Sequence, residues 1–137
     1  QNPAFYRADI SAGKGWAARR AAHRALDVDV SNGKDYAGKV AQCLAWADKQ
    51  AEKSRFDLVL YNAGMDPHED SDIGRLTDMT TTRIIEREVA AFEWCQSRGY
   101  PVAFVLAGGY TGDRMSDGKL TGLHRVTIEA AAMASKK

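Results

Sequence analysis

The stretch Phe56-Asp-Leu-Val-Leu-Tyr-Asn-Ala-Gly64 is an apolar run that leads through Met65 to the carboxylate of Asp66. A second stretch repeats this plan, because Pro101-Val-Ala-Phe-Val-Leu-Ala-Gly-Gly109 runs directly into Tyr110. Strands that are apolar on both faces are typical of parallel sheets covered by helices, and ligands of such sheets bind beyond the carboxyl ends of the strands. The two runs therefore predict an α/β fold in which Asp66 and Tyr110 lie at one rim.

Two shorter strands and three helices are predicted around these runs. One strand is expected at Phe5–Ser11, although Arg7 and Asp9 argue against its burial on both faces. The other is expected at Ala25–Val30, where apolar and polar residues alternate. Helical periodicity extends from about Asp35 to about Lys53, from the N-cap oxygens of Thr80–Thr82 to Gly99, and from about Lys119 onward. In the second helix, Ile85, Val89 and Phe92 recur at helical spacing.

This order of elements predicts one domain over residues 1–137. Right-handed crossovers between successive strands would give a three-layer structure, with a parallel sheet of three to four strands and helices on both faces. The chain length is that of a single domain with one modest core.

Composition excludes several classes of partner. The net charge of +1 gives no strong field for nucleic acid or an anionic membrane, and the basic stretch at Arg19, Arg20 and Arg24 is better explained as a solvated face. The sequence has no apolar run near the ~18 residues of a membrane span, so we expect a cytoplasmic protein. Cys43 and Cys95 stand among apolar neighbours and are expected to be buried free thiols.

Three motifs together resemble the C-terminal part of the histone deacetylase family. They are Tyr61-Asn-Ala-Gly-Met-Asp66, then Asp72-Ile-Gly74, and then Val105-Leu-Ala-Gly-Gly-Tyr110. The resemblance extends to Leu26–Gly33, which is similar to the strand and turn before the family's next helix, and to Leu123–Ile128 in its closing helix. Most of the chain is covered, and the motifs agree in residue type, order and spacing.

The resemblance implies a zinc-dependent amide hydrolase with the arginase/deacetylase fold, acting on acetyl-lysine or on acetylated amines such as polyamines. It assigns one zinc ligand to Asp66 and the catalytic phenol, which binds the substrate carbonyl, to Tyr110. Ile73 and Gly74 correspond to the wall of the acyl channel, and Gly108 and Gly109 let the backbone approach the substrate. Zinc and a fixed phenol suit this chemistry because both stabilise charge that develops on the carbonyl oxygen.

The remaining catalytic groups of the family have no counterpart in this sequence. The family's other zinc ligands come from an Asp-x-His segment, and its acid/base pair from adjacent histidines. The histidines here are His23, His68 and His124, and the Asp-x-His string at Asp66–His68 belongs to the downstream motif. Each missing ligand removes several of the roughly 10–16 kcal/mol typical of complete zinc sites, so we expect the isolated chain to be inactive.

Three alternatives stay open at this stage. The chain could be a non-catalytic, oligomeric interaction module derived from such an enzyme, or part of a longer active one. An unpaired strand edge would favour a homo-oligomer or a partner that covers that edge. Separately, His68, Glu69, Asp70 and Asp72 could form a metal cluster of their own, although a polar, solvated loop is the favoured interpretation.

Overall fold

The computed structural model describes residues 6–11 and 25–136. In this part the chain is a mixed α/β protein with four strands and three α-helices, in the order that the sequence predicted. The basic stretch at Arg19, Arg20 and Arg24 lies outside the described residues. The elements are β1 (Arg7–Ser11), β2 (Ala25–Asp29), α1 (Tyr36–Ala51), β3 (Val59–Gly64), α2 (Thr81–Ser97), β4 (Val102–Ala107) and α3 (Asp117–Ala134), with a short 3-10 turn at Gly33–Asp35.

The strands form two separate parallel pairs rather than the single sheet expected from the sequence. β1 pairs with β2, and β3 pairs with β4. A cleft of about 810 Å³ is lined by β1 and β3, so the strands follow the order β2, β1, cleft, β3, β4. Because the cleft lies between β1 and β3, the expected sheet of three to four strands is divided into two.

The ends of the strands and helices have local causes. β3 begins at Val59, three residues later than predicted, where Val59 N donates the first hydrogen bond of the ladder to Pro101 O at 2.9 Å. Phe56 lies before the strand, and its ring packs against Tyr100 with centroids 5.5 Å apart. β4 ends before Gly108, where φ becomes +58°. The hydroxyl of Ser116 accepts a hydrogen bond from Lys119 N at 3.2 Å, so α3 begins at Asp117 rather than at Lys119.

The helices cover one face of the β3–β4 pair, not both. Tyr61 and Phe104 pack edge-on against Phe92 of α2, at 5.7 and 5.2 Å between ring centroids. Leu60 and Val105 point to the other face and are 67% and 59% exposed. The chain moves in the same direction from β2 to β3 and from β3 to β4, so right-handed connections place α1 and α2 on the same side. Helices on both faces were therefore a wrong expectation for the described residues.

The two cysteines are buried and free, as predicted. Desolvation raises the pKa of both Cys43 and Cys95 to about 11, which keeps them as unreactive thiols. In the described part of the chain, none of the helices combines the length and the apolar character needed to cross a bilayer.

Candidate functional site

Asp66 lies at the carboxyl end of the β3–β4 pair. Gly64 and Ala107 are opposite each other at the end of the ladder, and Met65 N donates to Ala107 O at 2.9 Å. One residue further, Asp66 Oδ1 accepts a hydrogen bond from Gly109 N at 3.1 Å. The two loops that the sequence singled out are therefore in direct contact through this carboxylate.

Glycines enclose the Asp66 side chain. A Cβ placed on Gly108 would lie 2.1 Å from Asp66 Oδ2, which no real side chain tolerates. Gly74 has φ +85°, and a Cβ there would lie 3.0 Å from Asp66 Cβ. Gly108 also has a positive φ, a conformation that favours glycine. These two glycines let the backbones of the loops at Gly74 and Gly108 come close to one carboxylate and fix its position.

Tyr110 and Ile73 lie near this carboxylate and remain accessible. Tyr110 follows Gly109 directly and is 49% exposed, and Ile73 precedes Gly74 and is 59% exposed. The hydroxyl of Ser71 donates to Ile73 O at 2.7 Å, which fixes the backbone of this loop. The expected shared rim is thus confirmed, whereas the catalytic and channel-lining roles stay predictions.

Ion pairs join the two loops around Asp66. Asp72 pairs with Arg114 at 3.6 Å, and Asp70 pairs with Lys119 at the start of α3. The hydrogen bond from Lys119 holds the pKa of Asp70 below its usual value, so this carboxylate stays charged. These ion pairs therefore hold the loop after β3 to the residues that follow β4, in addition to the hydrogen bond made by Asp66.

His68 is a structural residue of the loop, and it is buried rather than solvated as the sequence had suggested. Its Nδ1 accepts a hydrogen bond from Asp70 N at 3.1 Å, so the proton is on Nε2, which donates to Thr81 Oγ1 at 3.0 Å. Burial lowers the pKa of the imidazole and favours the neutral ring. Both ring nitrogens are therefore occupied within the protein.

The arrangement does not by itself fit a complete zinc site. Among residues 6–11 and 25–136, no three His, Cys, Asp or Glu side chains are placed to share an ion. Catalytic zinc usually needs three protein ligands and an open position, and Asp66 could supply one of them. His68 is unsuitable as a second ligand because its nitrogens are already bonded.

A buried charged pair beneath the rim was missed in the sequence analysis. Arg87 Nη1 donates to Gly64 O at 2.7 Å, and Arg87 Nε donates to Glu88 Oε1 at 2.9 Å. Burial alone lowers the pKa of Arg87, but Tyr61 and Glu88 outweigh it and keep the guanidinium charged. Arg87 thereby positions the end of β3 just before Asp66.

The spacing of α2 contains the signal that could have revealed this pair. Ile84, Glu88 and Phe92 are four residues apart and all point into the core, whereas Ile85 is 40% exposed. Of the three apolar residues that the sequence singled out in α2, Val89 and Phe92 pack in the core, and Ile85 is exposed. A carboxylate at the centre of an apolar stripe indicates a buried partner, here Arg87.

Comparison with known proteins identifies a relative but not a function. No family model matches the chain. An uncharacterized protein from Picosynechococcus sp. is 35% identical over 85 residues, which is 62% of this chain and 28% of that protein. The chain thus spans 28% of the length of this relative. Any stretch of 85 residues in a chain of 137 must contain the middle of the chain, so the match includes the loop with Asp66.

Proposed function

We propose that these residues form the C-terminal part of a zinc-dependent amide hydrolase similar to histone deacetylases, acting on acetyl-lysine or acetylated amines. In this proposal Asp66 is one zinc ligand, and the hydroxyl of Tyr110 donates a hydrogen bond to the substrate carbonyl. Ile73 and Gly74 line the acyl channel, and Gly108 and Gly109 bring the backbone close to the substrate. The larger enzyme would have the three-layer arginase/deacetylase fold.

The carboxylate of Asp66, held in its glycine enclosure, is the observation that carries the proposal. Gly109 N binds Oδ1, and Gly108 leaves no space for any side chain beside Oδ2. The carboxylate lies at the carboxyl ends of two parallel strands, where ligands of such sheets bind. Tyr110 directly follows the backbone donor Gly109 and is accessible, so its phenol suits donation of a hydrogen bond to a bound carbonyl. A solvated turn residue would need none of these glycines.

The proposal also holds that the isolated chain is inactive. One carboxylate retains only a fraction of the binding energy of a three-ligand zinc site. The family resemblance places the other ligands and the histidine pair in polypeptide outside this sequence. The active protein would therefore need that additional polypeptide.

A turnover assay tests this part of the proposal. The purified chain is incubated with zinc and a fluorogenic acetyl-lysine peptide, in parallel with Asp66→Ala and with Ser97→Ala as a surface control. We expect all three proteins to show the background rate of zinc alone. Turnover by the wild-type chain that disappears only in Asp66→Ala would contradict the proposal that the zinc site of the isolated chain is incomplete.

A second candidate function is a non-catalytic interaction module. It is supported by the exposed apolar face at Leu60 and Val105, because large apolar patches mark association sites. In this case we expect a homo-oligomer or a complex with a partner that covers the sheet edge. A clean monomer in light scattering at tens of micromolar, together with no partner binding, would contradict it.

We also propose a cytoplasmic location. The support is that Cys43 and Cys95 are both free and buried, as is typical of proteins in reducing compartments. Fractionation of cells that produce the native protein tests this, and recovery in an oxidising compartment would contradict it.

A further inference from the structure

The cleft between β1 and β3 runs along the edges of both strands. It is lined by the consecutive residues 6–10 on one side and 54–62 on the other. Successive side chains of a strand point to opposite faces, so a cavity on one face would contact only alternate residues. Contact with every residue in turn means that the cleft follows the strand edges.

Hydrogen-bonding groups of the backbone point into this cleft. Val59 N donates to Pro101 O and Met65 N donates to Ala107 O, both at 2.9 Å, so the odd-numbered residues of β3 face β4. The peptide groups of Leu60 and Asn62 must then face the cleft. They have no backbone partner in the described part of the chain.

The same reasoning applies to β1 on the opposite side. Val30 N donates to Ser11 O at 3.1 Å, so the peptide groups of Ser11, Asp9 and Arg7 face β2. Those of Ala8 and Ile10 consequently face the cleft, toward β3. The cleft therefore has a row of donors and acceptors on each of two facing walls.

Helices α1 and α2 close the cleft on one side with apolar side chains. Val40 and Leu44 of α1 and Phe92 of α2 line it there. An occupant whose side chains alternate about an extended backbone would place every second one on this apolar floor. The walls thus fit a peptide backbone, and the floor fits apolar side chains.

We propose that the cleft binds one extended, apolar strand from polypeptide outside residues 1–137, parallel to β1 and β3 and hydrogen-bonded to both. Its length would be five to six residues, set by the five residues of β1 and the six of β3. The inserted strand would join the two pairs into one continuous sheet. This inference does not depend on the proposed amide hydrolysis.

The kind of occupant follows from two observations. A second copy of the chain cannot supply the strand from its four described strands, because each is already paired on one edge and the inserted strand needs both edges free. The Picosynechococcus relative, by contrast, has most of its length outside the match, so polypeptide of this kind is available to it. A small molecule would leave the two rows of peptide groups largely unpaired.

Peptide binding tests the proposal. Overlapping fluorescent peptides of about 12 residues, covering the relative outside the matched stretch, are titrated into the 137-residue chain. We expect peptides that contain an apolar run of five to six residues to bind with Kd below about 100 μM. Failure of every such peptide to bind would overturn the proposal.

Matched proline variants locate the binding edge. Leu60→Pro removes an N–H that faces the cleft, whereas Leu106→Pro removes one from the outer edge of β4, since the odd-numbered residues of β4 face β3. We expect Leu60→Pro to weaken binding by about tenfold or more and Leu106→Pro to leave it unchanged. The reverse order, or equal loss in both variants, would assign binding to another edge and overturn the proposal.

Hydrogen exchange gives an answer that does not depend on either variant folding. In the wild-type chain, bound peptide should slow exchange of the amides of Leu60, Asn62, Ala8 and Ile10 and leave that of Leu106 unchanged. Protection confined to Leu106, or no protection at these positions when the peptide is saturating, would contradict insertion between β1 and β3. Self-association that is lost in Leu60→Pro would identify a second copy as the occupant and would also overturn the proposal.

Discussion

The β3–β4 pair and the β1–β2 pair are both short parallel ladders, but they are stabilised differently. β3 and β4 pack aromatic side chains on α2, and the end of β3 is held by the buried Arg87. β1 and β2 instead carry an accessible ion pair, in which Arg7 Nη2 donates to Asp27 Oδ1 at 2.6 Å. Among the residues that the structure describes, only the β3–β4 pair has a buried polar anchor, and that pair carries Asp66.

This difference indicates how the candidate site is kept rigid. A two-stranded sheet is marginally stable by itself, so each pair depends on what it packs against. Under β3, the carboxylate of Glu88 is fully buried and binds both Arg87 and Tyr61. Substitutions in the β3–β4 half should therefore cost far more stability than those in the β1–β2 half.

The largest effect is expected for Arg87→Ala. The substitution leaves Glu88 as an unpaired buried carboxylate and removes the donor to Gly64 O, so the free energy of unfolding should fall by about 3–5 kcal/mol. Urea denaturation followed by circular dichroism measures this. A loss below about 1 kcal/mol would show that the pair under β3 is no stronger than a surface one.

Gly108→Ala should have the next largest effect. Its Cβ would collide with the Asp66 carboxylate in a backbone region with positive φ, at a cost of about 1–3 kcal/mol. Gly118→Ala is the matched control, since a Cβ there meets nothing within 4 Å and alanine favours the helix. Thermal denaturation of both variants gives the comparison, and equal melting temperatures would show that the enclosure of Asp66 is loose.

His68 should make stability depend on pH in the acidic range. Burial lowers its pKa in the folded chain, so the unfolded chain binds the proton more readily. The contribution of neutral His68 to the free energy of unfolding is complete above about pH 6.5, the pKa of the imidazole in the unfolded chain. It is lost as the pH falls below that value. Denaturation midpoints of His68→Gln should therefore decrease less on acidification than those of the wild type. Parallel curves would show that the ring accepts its proton without cost.

The smallest effect is expected for Arg7→Ala on β1. The Arg7 side chain is 45% exposed, and surface ion pairs contribute about 0–1 kcal/mol. Urea denaturation at low and high salt should therefore give nearly the wild-type curve. A loss comparable to that of Arg87→Ala would remove the distinction between the two pairs.

The β3–β4 half could be predicted from the sequence because its signals are local. The apolar runs that end at Gly64 and Gly109 determine the strands, and parallel strands bring their carboxyl ends to one rim. That is sufficient to place Asp66 beside the loop of Tyr110 without any knowledge of the helices. The N-cap at Thr80 is equally local, since its hydroxyl accepts from Arg83 N.

The remaining features depend on contacts between distant segments. The burial of Glu88 was not predicted, because its carboxylate is bonded not only by the adjacent Arg87 but also by Tyr61, 27 residues away. The division of the sheet was missed because a parallel crossover does not specify how many strands it passes over. The burial of His68 depends on Thr81, thirteen residues away, and no local pattern indicates it.

Zinc-dependent deacetylation by the longer Picosynechococcus relative tests the central claim most directly. The purified relative is assayed with acetyl-lysine peptide and acetylated polyamine, as wild type and with alanine at the position aligned with Asp66. We predict turnover that requires zinc and is lost in the variant while the fold is retained. A folded, zinc-loaded relative that hydrolyses neither substrate, or whose turnover survives the alanine, would contradict the account.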